Sequence, residues 1–285
     1  MLGHVGAMEL GVVVWVTELG VGIGELAPTV EQAGLESLFL TEHTHVPVSR
    51  RDLLDDDAHR LDGHILDQFT VLGAAAAVTS RLRLGTGICI VAQRDPIILA
   101  KQVATIDYLS GGRFLFGVAA GWLVEEMRNH GVQPGLRWDL MSEQILAMKA
   151  IWTHDEAEFH GEFVEFDPIW LWPKPVQAPH PPVLVGGSGP RSLRVAAECG
   201  DGWMPVVIDA VEFETQLTEL RRLHKEAGRP AMEVTAVVWE LDERLLARCA
   251  ELGVTRCAVV APTQDLATLQ SFLDRYLQVA NRVVR

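Results

Sequence analysis

Short apolar strands alternate with helices eight times along this chain, and that alternation limits its fold more than any other feature. Strands rich in Val, Ile and Leu without polar alternation are buried on both faces, which is the state of parallel strands covered by helices. The predicted strands span residues 9–16, 37–41, 82–90, 113–118, 183–185, 203–207, 233–239 and 256–260. The predicted helices span 23–33, 64–79, 96–109, 137–152, 191–199, 211–227, 243–252 and 266–279. Eight such units close naturally into a (β/α)8 TIM barrel. A doubly wound open sheet is the alternative, but the glycine fingerprint expected early in that fold is absent. Gly20, Gly22 and Gly24 lack the acidic residue at the next strand end.

One barrel domain is expected over residues 8–285, preceded by an extension at 1–7. An insertion is expected at about 154–180, where the aromatic stretch from Phe159 to Trp172 reads as a hairpin excursion. The net charge of −14 opposes non-specific binding to nucleic acid or to an anionic membrane, so an anionic ligand requires a local seat. Cys89, Cys199, Cys249 and Cys257 show no metal-binding spacing and read as free thiols. With no apolar run of membrane-spanning length and no secretory leader pattern, a cytoplasmic protein is expected. No metal site is expected.

Such a seat is written in the segment VLVGGSGP, Val183 to Pro190. A buried strand runs into a glycine turn and then a helix. Gly186, Gly187 and Gly189 let backbone approach a ligand, Ser188 is a candidate cap, and Pro190 suits the first helical position. The free N–H groups and the dipole of a helix start favour an anion.

Chemistry in a barrel of this kind lies at the C-terminal strand ends. The residues there are Thr17, Glu18, Glu42, His43, His45, Cys89, Gln93, Arg94, Ala120, Gly121, Trp122, Gly186 to Gly189, Pro205, Trp239 and Glu240. They hold no paired acids at metal spacing, no Ser-His-Asp order and no Schiff-base lysine. They offer a histidine, aromatics, bare backbone and an anion seat, a set better suited to a planar cofactor than to hydrolysis.

Four segments then carry a family likeness: GLESLFLTEH, the block from Leu82 to Trp122, the spaced Arg137 and Glu143, and PPVLVGGSGPRSLRVAAECGDGW. The central block contains Pro96, Lys101, Asp107, Ser110, Gly111, Gly112, Arg113, Gly121 and Trp122. Together they resemble the luciferase-like monooxygenase superfamily, in its branch that uses the deazaflavin coenzyme F420. The resemblance implies a barrel with a non-prolyl cis peptide or bulge behind the flavin ring, here within Gly87 to Ile90. It implies Gly87, Ile88 and Cys89 behind the ring, and Ala120, Gly121 and Trp122 along the cofactor. Its phosphate would sit at Gly186, Gly187, Ser188, Gly189 and Pro190. It also implies a homodimer.

His43 follows the second strand, where the family places a residue close to the redox centre, and its imidazole is the expected proton carrier. Glu42 is the competing acid. Deazaflavin-dependent sugar-phosphate dehydrogenases carry a glutamate where this chain has Trp122, which argues against sugar-phosphate oxidation. Arg94 is a ligand candidate, Arg113 an expected ion-pair partner of Asp107, and Arg50 with Arg51 a source of positive charge for an acidic cofactor tail. The expected function is F420-dependent hydride transfer to or from a small organic substrate. An FMN-dependent monooxygenase using oxygen is the alternative, and a flavin-binding protein without turnover comes third.

Overall fold

In the computed structural model, which describes residues 8–55, 59–229 and 232–283, the chain closes into a barrel. The expected extension at 1–7 lies outside the described residues. In chain order the first half holds β1 (Glu9–Val14), α1 (Ile23–Gln32), β2 (Ser37–Leu40), α2 (Gln68–Val78), β3 (Arg83–Thr86), β4 (Cys89–Ile90), α3 (Pro96–Ser110) and β5 (Phe114–Ala119). Then come α4 (Val124–Asn129), α5 (Arg137–Thr153), β6 (Glu156–His160), β7 (Glu165–Trp170), β8 (Val183–Gly186) and α6 (Pro190–Cys199). The chain continues through β9 (Gly202–Met204), α7 (Ala210–Glu226), β10 (Glu233–Val238), α8 (Glu243–Glu251), β11 (Arg256–Val260) and α9 (Leu266–Val283).

All barrel pairings are parallel. β1 lies between β2 and β11, with Val12 opposite Leu38 and Val259, and the ring closes where β3 meets β5 at Leu84 and Phe114. The predicted third strand is broken: β3 ends at Thr86, the Gly87–Ile88 peptide is cis, and β4 resumes at Cys89. Between β5 and β8 the aromatic stretch forms the antiparallel pair β6–β7.

Side-chain alternation divides the core into two layers. Val13, Phe39, Leu115, Leu184, Met204, Val237 and Ala258 fill the barrel interior. Their neighbours in sequence, such as Val12, Val14, Leu38, Leu40, Leu84, Phe116 and Val185, pack outward under the helices. The interior is too narrow for a large residue on every strand. A Cβ on Gly117 would lie 2.1 Å from the Thr86 carbonyl oxygen, so glycine there makes room for Met204 and the neighbouring backbone.

Several predicted boundaries move for local reasons. The helix expected from residue 64 starts at Gln68 because Asp67 caps it, accepting from Thr70 N–H at 2.8 Å. Before it lie a kinked 3-10 segment, Val48–Asp55, and a 3-10 turn at Asp62–His64. The cap of α6 is Gly189 rather than Ser188, whose side chain is exposed; φ is +99° at Gly189, and Pro190 occupies the first turn as expected. Arg113 does not meet Asp107. It donates instead to Ser110, Leu82 and Thr79 oxygens, while Asp107 accepts from Val176 and Gln177.

At the face opposite the chemistry, Arg256 is only 2% exposed and donates to both Glu36 oxygens, at 2.6 and 2.7 Å. A buried bidentate pair leaves an uncompensated charge when one member is removed. Arg256→Ala is therefore expected to cost about 3–5 kcal/mol in urea unfolding, leaving ligand binding by the folded fraction unchanged. A loss below about 1 kcal/mol would show that Glu36 finds other partners.

Candidate active site

The C-terminal strand ends surround a cavity of about 450 Å³. Its floor is barrel interior: Val13, Ile88, Val237 and Val260. Gly87, Ala119, Ala120 and Gly121 line one side, Arg137, Trp138, Gly187 and Ser188 line the β8 end, and Trp15, His43, His59, Asp62, Trp122 and Trp239 form the mouth.

His43 leaves the end of β2, and its side chain is only 8% exposed. Its Nδ1 lies 2.8 Å from Glu126 Oε2, and its Nε2 lies 3.7 Å from Asp62 Oδ2. The Trp122 ring meets it edge-on, with centroids 5.7 Å apart. Burial alone would lower the imidazole pKa, but the hydrogen bond and charge of Glu126, with Asp62 and Glu42 behind it, hold it above the ordinary value. Glu126, fully buried on α4, also accepts from Thr44 N–H at 2.7 Å and Thr44 Oγ1 at 3.0 Å. Burial would raise its carboxyl, yet His43 and Thr44 keep it below the usual carboxylate range.

A second imidazole shares Asp62. His59 Nδ1 lies 3.0 Å from Asp62 Oδ2, and Trp15 Nε1 donates to Oδ1 at 2.9 Å. Asp62 is 2% exposed, so these partners replace water around its charge. The His59 ring stands between Trp122 and Trp239, with centroids at 5.1 and 6.5 Å.

Glu42 also lines the cavity, but its carboxylate is held from behind. One oxygen accepts from Ile90 N–H, and the other pairs with Arg94, whose guanidinium lies over the Phe69 ring. Arg94, read from the sequence as a ligand candidate, is thus a structural partner of Glu42. Gln68 adds a further tie, with Nε2 donating to Leu40 O at 2.7 Å and to Ile88 O at 3.3 Å, which joins the β2 end to the segment between β3 and β4.

Of the residues expected at the cofactor, Gly87, Ile88, Ala120, Gly121, Trp122, Gly187 and Ser188 reach the cavity. Cys89 does not. Ile88 and Ile90 face inward, so Cys89 between them points into the outer layer, where burial pushes its thiol pKa well up. Gly186 is buried, and a Cβ on it would lie 3.1 Å from Ile88 Cγ2. Gly189 and Pro190 lie behind the turn, in a separate depression beside α7. Arg50 is drawn to Asp52 and Glu125.

Strand-end logic misses Trp15, His59, Asp62 and Trp138. His59 and Asp62 sit deep in the loop between β2 and α2, and no local spacing brings them to His43. Farther out, His45, Glu126 and His130 present ligand atoms within 4.8 Å of one another. The Thr44 hydroxyl lies among them, 2.9 Å from His45 Nδ1 and 2.7 Å from His130 Nε2, and completes the network without an ion.

The residues at the β8 end fit a phosphorylated planar group. A Cβ on Gly187 would approach Trp138 to 3.3 Å, so the bare backbone keeps a cradle open. Arg137 lines the cavity with a buried Nε that has no protein partner. An orphaned guanidinium nitrogen beside a helix start suits an anion.

Comparison with known proteins places this geometry. The family model described as luciferase-like monooxygenase matches residues 22–241. An uncharacterised protein of Mycobacterium tuberculosis is 38% identical over 278 residues, covering 94% of this chain and 97% of the relative. An FMNH2-dependent dimethylsulfone monooxygenase of Pseudomonas putida is 36% identical over 160 residues, 54% of this chain and 43% of that protein. An F420-dependent secondary alcohol dehydrogenase, solved with an F420-acetone adduct, shares the fold with a TM-score of 0.78 at 18% identity, covering 98% of each chain.

The His43 pair has a pH signature. Because the folded pKa of His43 is raised, its stabilisation is full below the unfolded value of 6.5 and is lost as pH rises through the folded value. The lowered Glu126 pKa sets the other edge, where stability is lost as pH falls through its folded value. His43→Gln should thus cost more stability at about pH 6 than at about pH 9 in urea titrations. An equal cost at both would mean that the pair carries no charge.

Proposed function

The chain belongs to the luciferase-like monooxygenase family, and we propose that it is an F420-dependent oxidoreductase that moves hydride to or from a small organic substrate. The observation that carries this reading is a carboxylate-backed imidazole, His43, in the wall of a largely apolar cavity whose far end is an anion cradle. When bound, the deazaflavin supplies or accepts the hydride.

The remaining work belongs to the chain. Gly187 and Ser188, in the turn that leads into α6, would hold the phosphate, with Arg137 adding charge. Gly87 and Ile88 back the ring, and Ala120 and Gly121 border its side chain. Trp122 and Trp239 exclude water from the mouth. His43 holds a proton against Glu126 and, with Nε2 facing the Asp62 carboxylate, relays it towards the cavity as charge develops on the substrate. Glu42 fixes the end of β2 through Ile90 and Arg94.

Likeness to an FMNH2-dependent relative favours a second reading, FMN-dependent monooxygenation, which uses the same cradle. Fluorescence titration separates the two. F420 should bind in preference to FMN, and micromolar FMN affinity without detectable F420 binding would reverse the assignment.

Two variants test the residue roles. Gly187→Val should weaken cofactor binding by about 10- to 100-fold, or about 1.4–2.8 kcal/mol, with an unchanged circular dichroism spectrum. Unchanged affinity would remove the cradle. His43→Ala should lower kcat by about 10² to 10⁴ while cofactor affinity stays within a few fold. Wild-type turnover would take the proton role from His43.

A further inference from the structure

His43 has both ring nitrogens facing carboxylates: Nδ1 is bonded to Glu126 and Nε2 looks towards Asp62. His59 is arranged differently. Its Nδ1 is bonded to Asp62, and the ring projects into the cavity between Trp122 and Trp239. A carboxylate accepting from Nδ1 fixes the tautomer with hydrogen on Nδ1, which leaves Nε2 to meet a ligand. Asp62 cannot easily turn away, because Trp15 Nε1 holds its other oxygen at 2.9 Å.

We infer that His59, oriented by Asp62, is the group that binds the substrate oxygen, and that the substrate is a neutral, apolar carbonyl compound or its alcohol. This rests on the hydride-transfer reading above and adds the residue and substrate class to it.

The walls select for that chemistry. Trp122 and Trp239 remain 47% and 36% exposed, and with Trp15 they present apolar surface at the mouth. Among the described residues the cation lining the cavity is Arg137, next in sequence to Trp138 at the Gly187 cradle. Arg60 lies in the adjoining depression, on the other side of Trp15 and Trp239, so within the cavity a substrate carboxylate or phosphate at the tryptophan end meets no positive side chain other than an imidazolium. An ammonium finds no unpaired carboxylate either, since both Asp62 oxygens are taken and Glu42 is held by Ile90 and Arg94. A neutral oxygen on an apolar body satisfies the imidazole and the indoles together.

In the reducing direction, hydride from the reduced deazaflavin adds to the carbonyl carbon and the carbonyl π pair moves to oxygen. That oxygen takes the proton from Nε2 of the His59 imidazolium. The substrate gains two electrons and two hydrogens, the cofactor is oxidised by two electrons, and His59 is left neutral with hydrogen on Nδ1. Solvent restores the proton, because the side chain is 27% exposed. Oxidation of the alcohol reverses each step.

The test needs no turnover at its first stage. In the 15N-histidine-labelled full chain, with and without bound cofactor, His59 should show the Nδ1–H tautomer, and saturating cyclohexanol, whose hydroxyl can donate to the free Nε2 lone pair, should shift its Nε2 resonance. Asp62→Asn, whose amide can donate to Nδ1 and keep its oxygen on Trp15, should switch His59 to the Nε2–H tautomer. An unchanged tautomer in Asp62→Asn, or a silent His59 Nε2 under cyclohexanol, would overturn the assignment whichever cofactor the protein uses. At the second stage His59→Gln should lower kcat on ketones by about 10²-fold or more, with cofactor affinity unchanged. Trp239→Ala should chiefly raise KM. Wild-type kcat in His59→Gln would also overturn it, whereas failure to bind F420 with the NMR results intact would sink only the cofactor reading.

Discussion

Two carboxylates, Asp62 and Glu126, lie almost out of reach of water at the mouth of the barrel, and the arrangement of the site follows from what they require. A buried carboxylate without donors would be neutralised or expelled, so each is surrounded by N–H and O–H groups. Glu126 takes the backbone and hydroxyl of Thr44 together with His43. Asp62 takes Trp15 and His59. The histidines are thereby oriented before any ligand arrives, and little reorganisation is left for the reaction.

The barrel supplies the other half of that pre-organisation. Phe39, Leu115, Leu184 and Met204 plug the interior beneath the cavity, so a bound ring cannot sink into the barrel. Stability and chemistry are separated along the axis. The Arg256–Glu36 pair ties one face together, while the opposite face carries loops whose side chains are free to serve a ligand. The Glu42–Arg94 pair spends two strand-end charges on holding β2 against β4, which leaves the polar work of the mouth to imidazoles.

Much of this could be read from the chain because it is local. Strand and helix alternation gives the barrel, and the run from Val183 to Pro190 gives the glycine turn that lines the cavity at Gly187 and Ser188. His43 is legible as a cavity residue because it directly follows a strand end. Residues whose role depends on parity or on distance were less accessible. The sequence puts Cys89 at the cofactor, but Ile88 and Ile90 line the cavity and Cys89 between them faces the outer layer, a parity that nothing in the run from Gly87 to Ile90 announces. His59 and Asp62 sit in a long loop with no periodic pattern, and only closure of that loop over β1, through the Leu66 N–H to Val16 carbonyl bond, brings them beside Trp15. Arg94 and Glu42 each read alone, as ligand and as acid, since 52 positions separate them and nothing local announces that they neutralise one another.

The central claim is that one cavity holds the cofactor phosphate at Gly187 and its ring against Gly87–Ile88, with the imidazoles of His43 and His59 facing the substrate side. A crystal structure of the chain with oxidised F420 tests it most directly. The account predicts phosphate oxygens within hydrogen-bonding distance of the Gly187 and Ser188 backbone and Arg137, the ring beside Ile88, and no displacement of Asp62 or Glu126. A cofactor seated elsewhere, or a ring separated from both histidines by protein, would contradict it.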